Sequence, residues 1–225
     1  MLRDGFGLDA EDFAQRRMCR YSQRVMLILA SASPRRHELL AQAGLTFTAE
    51  AANLNEDLLP NEAAAAYVQR LAEEKAQAVW NAHKSSDTPD DPLVVLGADT
   101  CVVVEGHILG KPDDSADARR MLELLSGRTH AVLTGIAAIT AKKTVRDLDI
   151  TQVTFNVITD SEIGRYISSG EPLDKAGAYA IQGYAARWIP RIEGCYFNVV
   201  GLPISRTIAL LAQAQSDGAS AVEKA

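Results

Sequence analysis

The chain is poor in several residue patterns whose absence is informative. Its three cysteines, Cys19, Cys101 and Cys195, are an odd number at wide spacing, with neither a CxxC pair nor a disulfide framework, so a reducing cytoplasm is the expected home. The four histidines, His37, His83, His107 and His130, are dispersed and give no zinc-type spacing. No GxSxG elbow occurs, and the glycines of "AGAYAIQG" match neither the Walker nor the dinucleotide pattern. Apolar runs are strand-length and broken by charge or glycine, so neither a membrane span nor a secretory signal is expected. Positive charge is also in deficit: the formal net charge is -6, and no overall basic field would draw the chain to nucleic acid or an anionic membrane.

What is present is an ordinary globular composition, 47% hydrophobic and 23% charged over 225 residues, enough for one domain or two small lobes. Residues 1–25 mix charges of both signs without an apolar stripe and are expected to be a loose extension, or a start assigned upstream of Met18 or Met26. Residues 215–225 are small and polar and are expected to fray. Between them, 26–214 reads as one α/β unit in which strands alternate with helices. "MLILAS" is a strand, and "PRRHELLAQAG" is a helix with Ser33 placed to cap it, Pro34 at its first position and Gly44 at its end. A second helix begins near Asn61, "LVVLGADTCVVVEG" is a strand buried on both faces, and "DSADARRMLELLSG" is a helix with Ser115 as its cap. Two strands follow around a turn at Ala141 to Lys143, then a helix from Asp160 to Ser168. Strands around "ARWIPRIEG" and "FNVVG" and a helix from Pro203 to Ala214 complete the chain.

Three features place charge where it is unfavourable. Arg35 and Arg36 stand in the first turn of a helix, opposed by its macrodipole. A bound anion reverses that sign, and free N–H groups, the hydroxyls of Ser31 and Ser33 and two guanidinium forks would make a phosphate pocket. The alternative is that both arginines point into solvent. Asp99 interrupts an apolar strand, where an unpaired carboxylate costs several kcal/mol unless a metal or another cation compensates it. The alternative is an exposed turn at Gly97 to Thr100. Lys75 shares a helical stripe with Val68, Leu71, Ala72 and Val79, so its ammonium either snorkels past the edge or meets a charge inside. Lys111 and Lys175 adjoin glycine or proline turns, where backbone can approach a ligand, and each read alone is a solvated loop lysine.

Taken in order, "LILASASPRR", "RLAEEKA", "VLGADT", "GKP", "LSGRTH", "GEPLDKAGAYAIQG" and "VVGLPI" resemble the Maf family of nucleoside triphosphate pyrophosphatases from about Met26 to Gln213. The resemblance implies an elongated α/β fold, related to the inosine triphosphate pyrophosphatases, with a mixed central sheet, flanking helices and a cleft between two lobes. It implies hydrolysis of a nucleoside triphosphate between its α and β phosphorus atoms, with a divalent cation, Mg2+ or Mn2+, and a homodimer. Carried over by motif, Asp99 accepts the proton of the attacking water and shares the metal with Glu56. Ser33, Arg36, Lys75 and Lys111 are assigned to phosphate. Arg35, Thr100 and Gln182 resemble the branch acting on dTTP and UTP, where a glutamine amide suits the O4 and N3–H edge of thymine and uracil. The branch preferring 7-methyl-GTP has tryptophan after the proline and glutamine after the aspartate. Modified pyrimidine nucleotides such as 5-methyl-UTP are a further expected substrate class. The rivals are a 7-methyl-GTP or inosine-type pyrophosphatase and, from another class, a non-catalytic nucleotide-binding regulator of septum formation.

Overall fold

The structure, a computed structural model, describes residues 25–216. The extension and tail expected at the two ends fall outside the described residues, apart from Val25 and the final turn through Ser216. A seven-stranded mixed sheet organises the rest. Its strands are β1 (Met26–Ala30), β2 (Thr48–Ala49), β3 (Leu93–Val104), β4 (His107–Leu109), β5 (Thr129–Ile139), β6 (Thr144–Thr154) and β7 (Arg191–Glu193). They run in the order β2-β1-β3-β5-β6-β7, with β4 also paired to β3. β1 is parallel to β2 and β3, and the remaining pairings are antiparallel.

The helices are α1 (Pro34–Gln42), α2 (Ala64–His83), α3 (Ser115–Leu125), α4 (Asp160–Ser168), α5 (Tyr196–Val200) and α6 (Ile204–Gln215). Alternation along β3 sorts them into two layers, because successive side chains point to opposite faces. Val94, Leu96, Ala98, Val102 and Val104 join the main core with Leu39, Leu40, Met121, Leu122, Leu210 and Leu211 from α1, α3 and α6. Gly97, Asp99 and Cys101 face α2.

Two glycines fix how closely α2 lies on the sheet. A Cβ at Gly97 would stand 2.0 Å from the Ala72 carbonyl oxygen, and one at Gly135 would stand 2.5 Å from that of Val68. Gly135 is the cross-strand partner of Asp99. Backbone contact at these points presses the Val68, Leu71, Ala72, Lys75 and Val79 stripe onto the sheet, and all five are buried.

Several local expectations are corrected. Ser33 sits at the N-cap of α1 without a side-chain capping bond; its N–H instead donates to Ser31 Oγ at 3.2 Å. The α3 cap is Asp114, which accepts from the N–H groups of Ala116 and Asp117 at 2.8 Å each, and Ser115 is the first helical residue. α2 starts at Ala64, because Ala63 at its N-cap is extended, with ψ 146, and Asn61 before it adopts a left-handed conformation, φ 59. "FNVVG", expected as a strand, lies in α5 and its capping glycine. Its β-branched residues yield to tertiary bonds: Asn198 Nδ2 donates to Val132 O and to Thr151 Oγ1, both at 3.0 Å, while Asn198 O accepts from Thr134 Oγ1 at 3.2 Å. Of "ARWIPRIEG", only Arg191–Glu193 is strand, and Tyr184–Trp188 is a 3-10 turn. The hairpin around residues 141–143 and α4 stand where expected, and α6 runs one residue past Ala214.

Candidate active site

β1 stops at Ala30, opposite Gly97, and β4 begins to pair with β3 only at Val102. Between them the edge of β3 from Ala98 to Cys101 has no strand partner, and the N-terminus of α1 faces this gap. Arg36 closes much of it. Its Nη1 donates to Ala98 O at 2.9 Å and to Ser31 Oγ at 3.2 Å, its Nη2 to Thr100 Oγ1 at 3.0 Å, and its Nε to Gly201 O at 2.9 Å. A guanidinium has five N–H donors, so one remains for a ligand. Thr100 Oγ1 lies 2.9 Å from Thr134 Oγ1, which continues the network to Asn198. Burial lowers the pKa of Arg36 from its ordinary value, opposed by the charges of Asp99 and Glu56.

Asp99 is inside the fold, 7% exposed, and is not in an exposed turn. Lys75, 8% exposed, does not snorkel: its Nζ donates to Asp99 Oδ1 at 2.6 Å and pairs with Glu56 Oε1 at 2.8 Å. Both stray charges thus compensate each other. Burial nevertheless raises the Asp99 pKa above the ordinary carboxylate value, against the opposing charges of Lys75 and Arg36. A carboxyl so displaced is a better proton acceptor than a surface aspartate. The Glu56 segment is tied down by neighbours on α2, since Tyr67 Oη donates to Glu56 O at 2.9 Å and Arg70 Nη2 donates to Asp57 O at 3.1 Å. Burial and the nearby Asp99 and Glu56 charges push the Tyr67 phenol up to about 12.

These groups open on a cavity of about 550 Å³, within the range of small-molecule sites. Every residue singled out from the sequence lines it: Ser33, Arg35, Arg36, Glu56, Lys75, Asp99, Thr100, Lys111 and Gln182. They divide by environment. Asp99, Lys75 and Arg36 are held by one another, by backbone carbonyls and by Ser31, Thr100 and Glu56, whereas the side chains of Arg35, Lys111 and Gln182 make no hydrogen bond or ion pair among the described residues. Lys175, read as a solvated loop lysine, also lines the cavity, with its Nζ donating to Glu171 O at 2.6 Å and paired with Asp174. Tyr67 and Tyr179 are further lining residues that the sequence reading passed over. Tyr67 sits beside the apolar α2 stripe, a boundary position that marks a residue facing partly inward.

Among the described residues, no group of three or more His, Cys, Asp or Glu is placed to hold a metal. The pair Asp99 and Glu56, joined through one ammonium, is a smaller donor set of the hard oxygen type. No helix among the described residues is long and apolar enough to cross a membrane.

The family model described as "Maf-like protein" matches residues 26–214. A protein of Koribacter versatilis (strain Ellin345) named dTTP/UTP pyrophosphatase is 48% identical over 197 residues, covering 88% of this chain and 98% of its own. Proteins with the same name from Hahella chejuensis (strain KCTC 2396) and Bacillus pumilus (strain SAFR-032) are 50% and 47% identical, covering 84% and 82% of this chain and 92% and 94% of theirs.

Proposed function

The chain belongs to the Maf-like protein family, and from that premise we propose that it is a nucleoside triphosphate pyrophosphatase acting on dTTP and UTP. The observation that carries this reading is the buried Asp99–Lys75–Glu56 cluster, open to a cavity that also holds Arg35, Lys111 and Gln182. The names of the relatives supply the base preference.

In this reading Asp99 takes a proton from a water that attacks the α-phosphorus. The bond from that phosphorus to the bridging oxygen breaks, and a nucleoside monophosphate and pyrophosphate result. A triphosphate carries roughly four negative charges, and preorganised cations stabilise what develops on the leaving group. Lys75 and the remaining N–H of Arg36 face that task, Ser33 adds a hydroxyl at the helix start, and the exposed Lys111 draws the phosphates into the cavity. Asp99 and Glu56 would hold Mg2+ or Mn2+, an ion content with one or two carboxylates plus substrate phosphates. Bound there, it would supply Lewis-acid neutralisation of phosphate charge. Arg35, Thr100 and Gln182 would read the pyrimidine and its surroundings. The net charge of -6 accords with the absence of nucleic-acid partners, and the free thiols of Cys101 and Cys195, among the described residues, with a reducing cytoplasm, while the homodimer rests on the family resemblance alone.

The test is release of pyrophosphate from a nucleotide panel with Mg2+ or Mn2+. dTTP and UTP are expected to give the monophosphate and pyrophosphate. Comparable turnover of 7-methyl-GTP or inosine triphosphate overturns the base assignment, and orthophosphate as first product overturns attack at the α-phosphorus. Tight binding without turnover favours the regulatory alternative.

A further inference from the structure

Gln182 reaches the cavity from a turn in which Gly183 N–H donates to Ala180 O at 3.1 Å, and no protein group holds its amide among the described residues. Where the amide stands is therefore decided by where the turn stands. Both ends of that turn lead to one carboxylate outside the catalytic cluster. On one side, Ala180 N–H donates to Tyr166 Oη at 3.1 Å, and Tyr166 Oη donates to Glu171 Oε1 at 3.0 Å. On the other, Tyr184 N–H donates to Glu171 at 3.2 Å from Oε1 and 3.4 Å from Oε2. The rings of Tyr166 and Tyr184 stack at 5.6 Å, which adds a face contact to the polar one.

The space for this arrangement depends on Gly183. A Cβ there would lie 1.8 Å from Glu171 Oε1, so any other residue would drive the carboxylate off the turn. Tyr166 is 1% exposed, and its hydroxyl both accepts and donates, so the relay leaves no lone polar group in the core. The backbone carbonyl of the same Glu171 accepts from Lys175, a second cavity residue.

We propose that Glu171 and Tyr166 are positioning residues for base recognition, clamping the Ala180–Tyr184 turn so that Gln182 meets the base in a fixed place. The proposal rests on the reading of Gln182 as a base contact. It requires that loss of the clamp be felt through Gln182 and not through the chemistry at Asp99.

Calorimetric titration with dTMP, the product of the proposed reaction, on the wild type, Tyr166→Phe, Gln182→Ala and the double variant tests this. Tyr166→Phe is expected to weaken dTMP binding about tenfold, the scale of one lost hydrogen bond. The double variant is expected to bind no more than about twofold worse than Gln182→Ala alone, the signature of two residues acting as one. Glu171→Gln keeps the acceptor and should bind as the wild type, whereas Glu171→Ala should match Tyr166→Phe. With dTTP, Tyr166→Phe should raise KM while kcat moves less than about threefold. Urea melts verify that each variant is folded. Wild-type affinity in both Tyr166→Phe and Glu171→Ala, or additive losses in the double variant, overturns the clamp. Coupled dTMP binding in a protein that releases no pyrophosphate sinks the catalytic reading and keeps the clamp. Turnover with uncoupled binding does the reverse, no dTMP binding by the wild type overturns the clamp, and the further absence of dTTP turnover overturns both.

Discussion

The two ends of the cavity are built on opposite terms. At the inner end, Asp99, Lys75 and Arg36 are bonded inside the protein before any substrate arrives. At the outer end, Arg35, Lys111 and Gln182 have no bonded partner among the described residues, and Lys111 and Gln182 are exposed. The inner charges are already desolvated and oriented, so reaction there needs little reorganisation. Arg35 and Lys111 must be ordered by the ligand, which spends part of its binding energy on fixing them, while Gln182 rides on the clamped Ala180–Tyr184 turn and has only its side chain left to order. Chemistry is thus assigned to the rigid end and recognition to the adaptable one.

The hardest test of that division is Asp99→Asn. The amide keeps the shape and removes the proton acceptor, so turnover should fall about 10³-fold, the scale of a lost general base. Nucleotide binding, carried by the outer end, should persist in a titration with dTTP. A binding loss that matches the activity loss would show the two ends to be one unit.

Lys75→Met attacks the inner end through stability. It leaves Asp99 buried without its ammonium, and breaking a buried pair from one side costs roughly 3 kcal/mol. The urea midpoint should fall accordingly, while Lys111→Ala, at the outer end, should leave it unchanged. Equal midpoints for the two variants would mean that the inner charges are not prepaired in solution.

The inner end was also the more legible in the sequence, because a charge on an apolar element is conspicuous. Asp99 in "VVLGADTCVVV" and Lys75 on the Val68, Leu71, Ala72, Val79 stripe each demanded a partner, and they proved to be each other's. What remained hidden was what Arg36 does. Its acceptors Ala98, Thr100 and Gly201 are 62 to 165 residues away in sequence, and a gap between two strand partners of β3 has no sequence signature. The helix α5 was missed for the same reason: Asn198 is held by Val132 and Thr151, and such contacts override the strand propensity of its neighbours. The sheet core, the β5–β6 hairpin and α4 depend on local pattern and were readable.

Behind the outer wall, Tyr179 is backed by His130, whose Nε2 lies 2.8 Å from the Tyr179 hydroxyl. Burial lowers the His130 pKa to about 4. The folded state therefore keeps it neutral, while the unfolded chain protonates it below about pH 6.5. The unfolded state binds more protons, so stability declines as pH falls from 6.5 and the loss levels off below about 4, roughly 3 kcal/mol in all. The difference between urea midpoints of wild type and His130→Gln should drift over that window and be flat above pH 7. A flat difference throughout would mean that water already reaches the ring and that the wall is as adaptable as the groups in front of it.

The smallest effect belongs to Lys111, and it is the one that separates recognition from chemistry most cleanly. It is exposed and makes no bond among the described residues, so Lys111→Ala should not move the melting curve. A solvated ammonium attracts phosphate through a field that salt screens within about 8 Å at physiological ionic strength. KM for dTTP should therefore rise no more than about fivefold at low salt, as for other exposed pairs, and the difference should shrink as KCl is added. kcat should hold, because Lys111 touches neither Asp99 nor Lys75. A salt-insensitive fall in kcat at constant KM would place Lys111 against the leaving group in the transition state, and the outer end would then share in the chemistry assigned to the inner one.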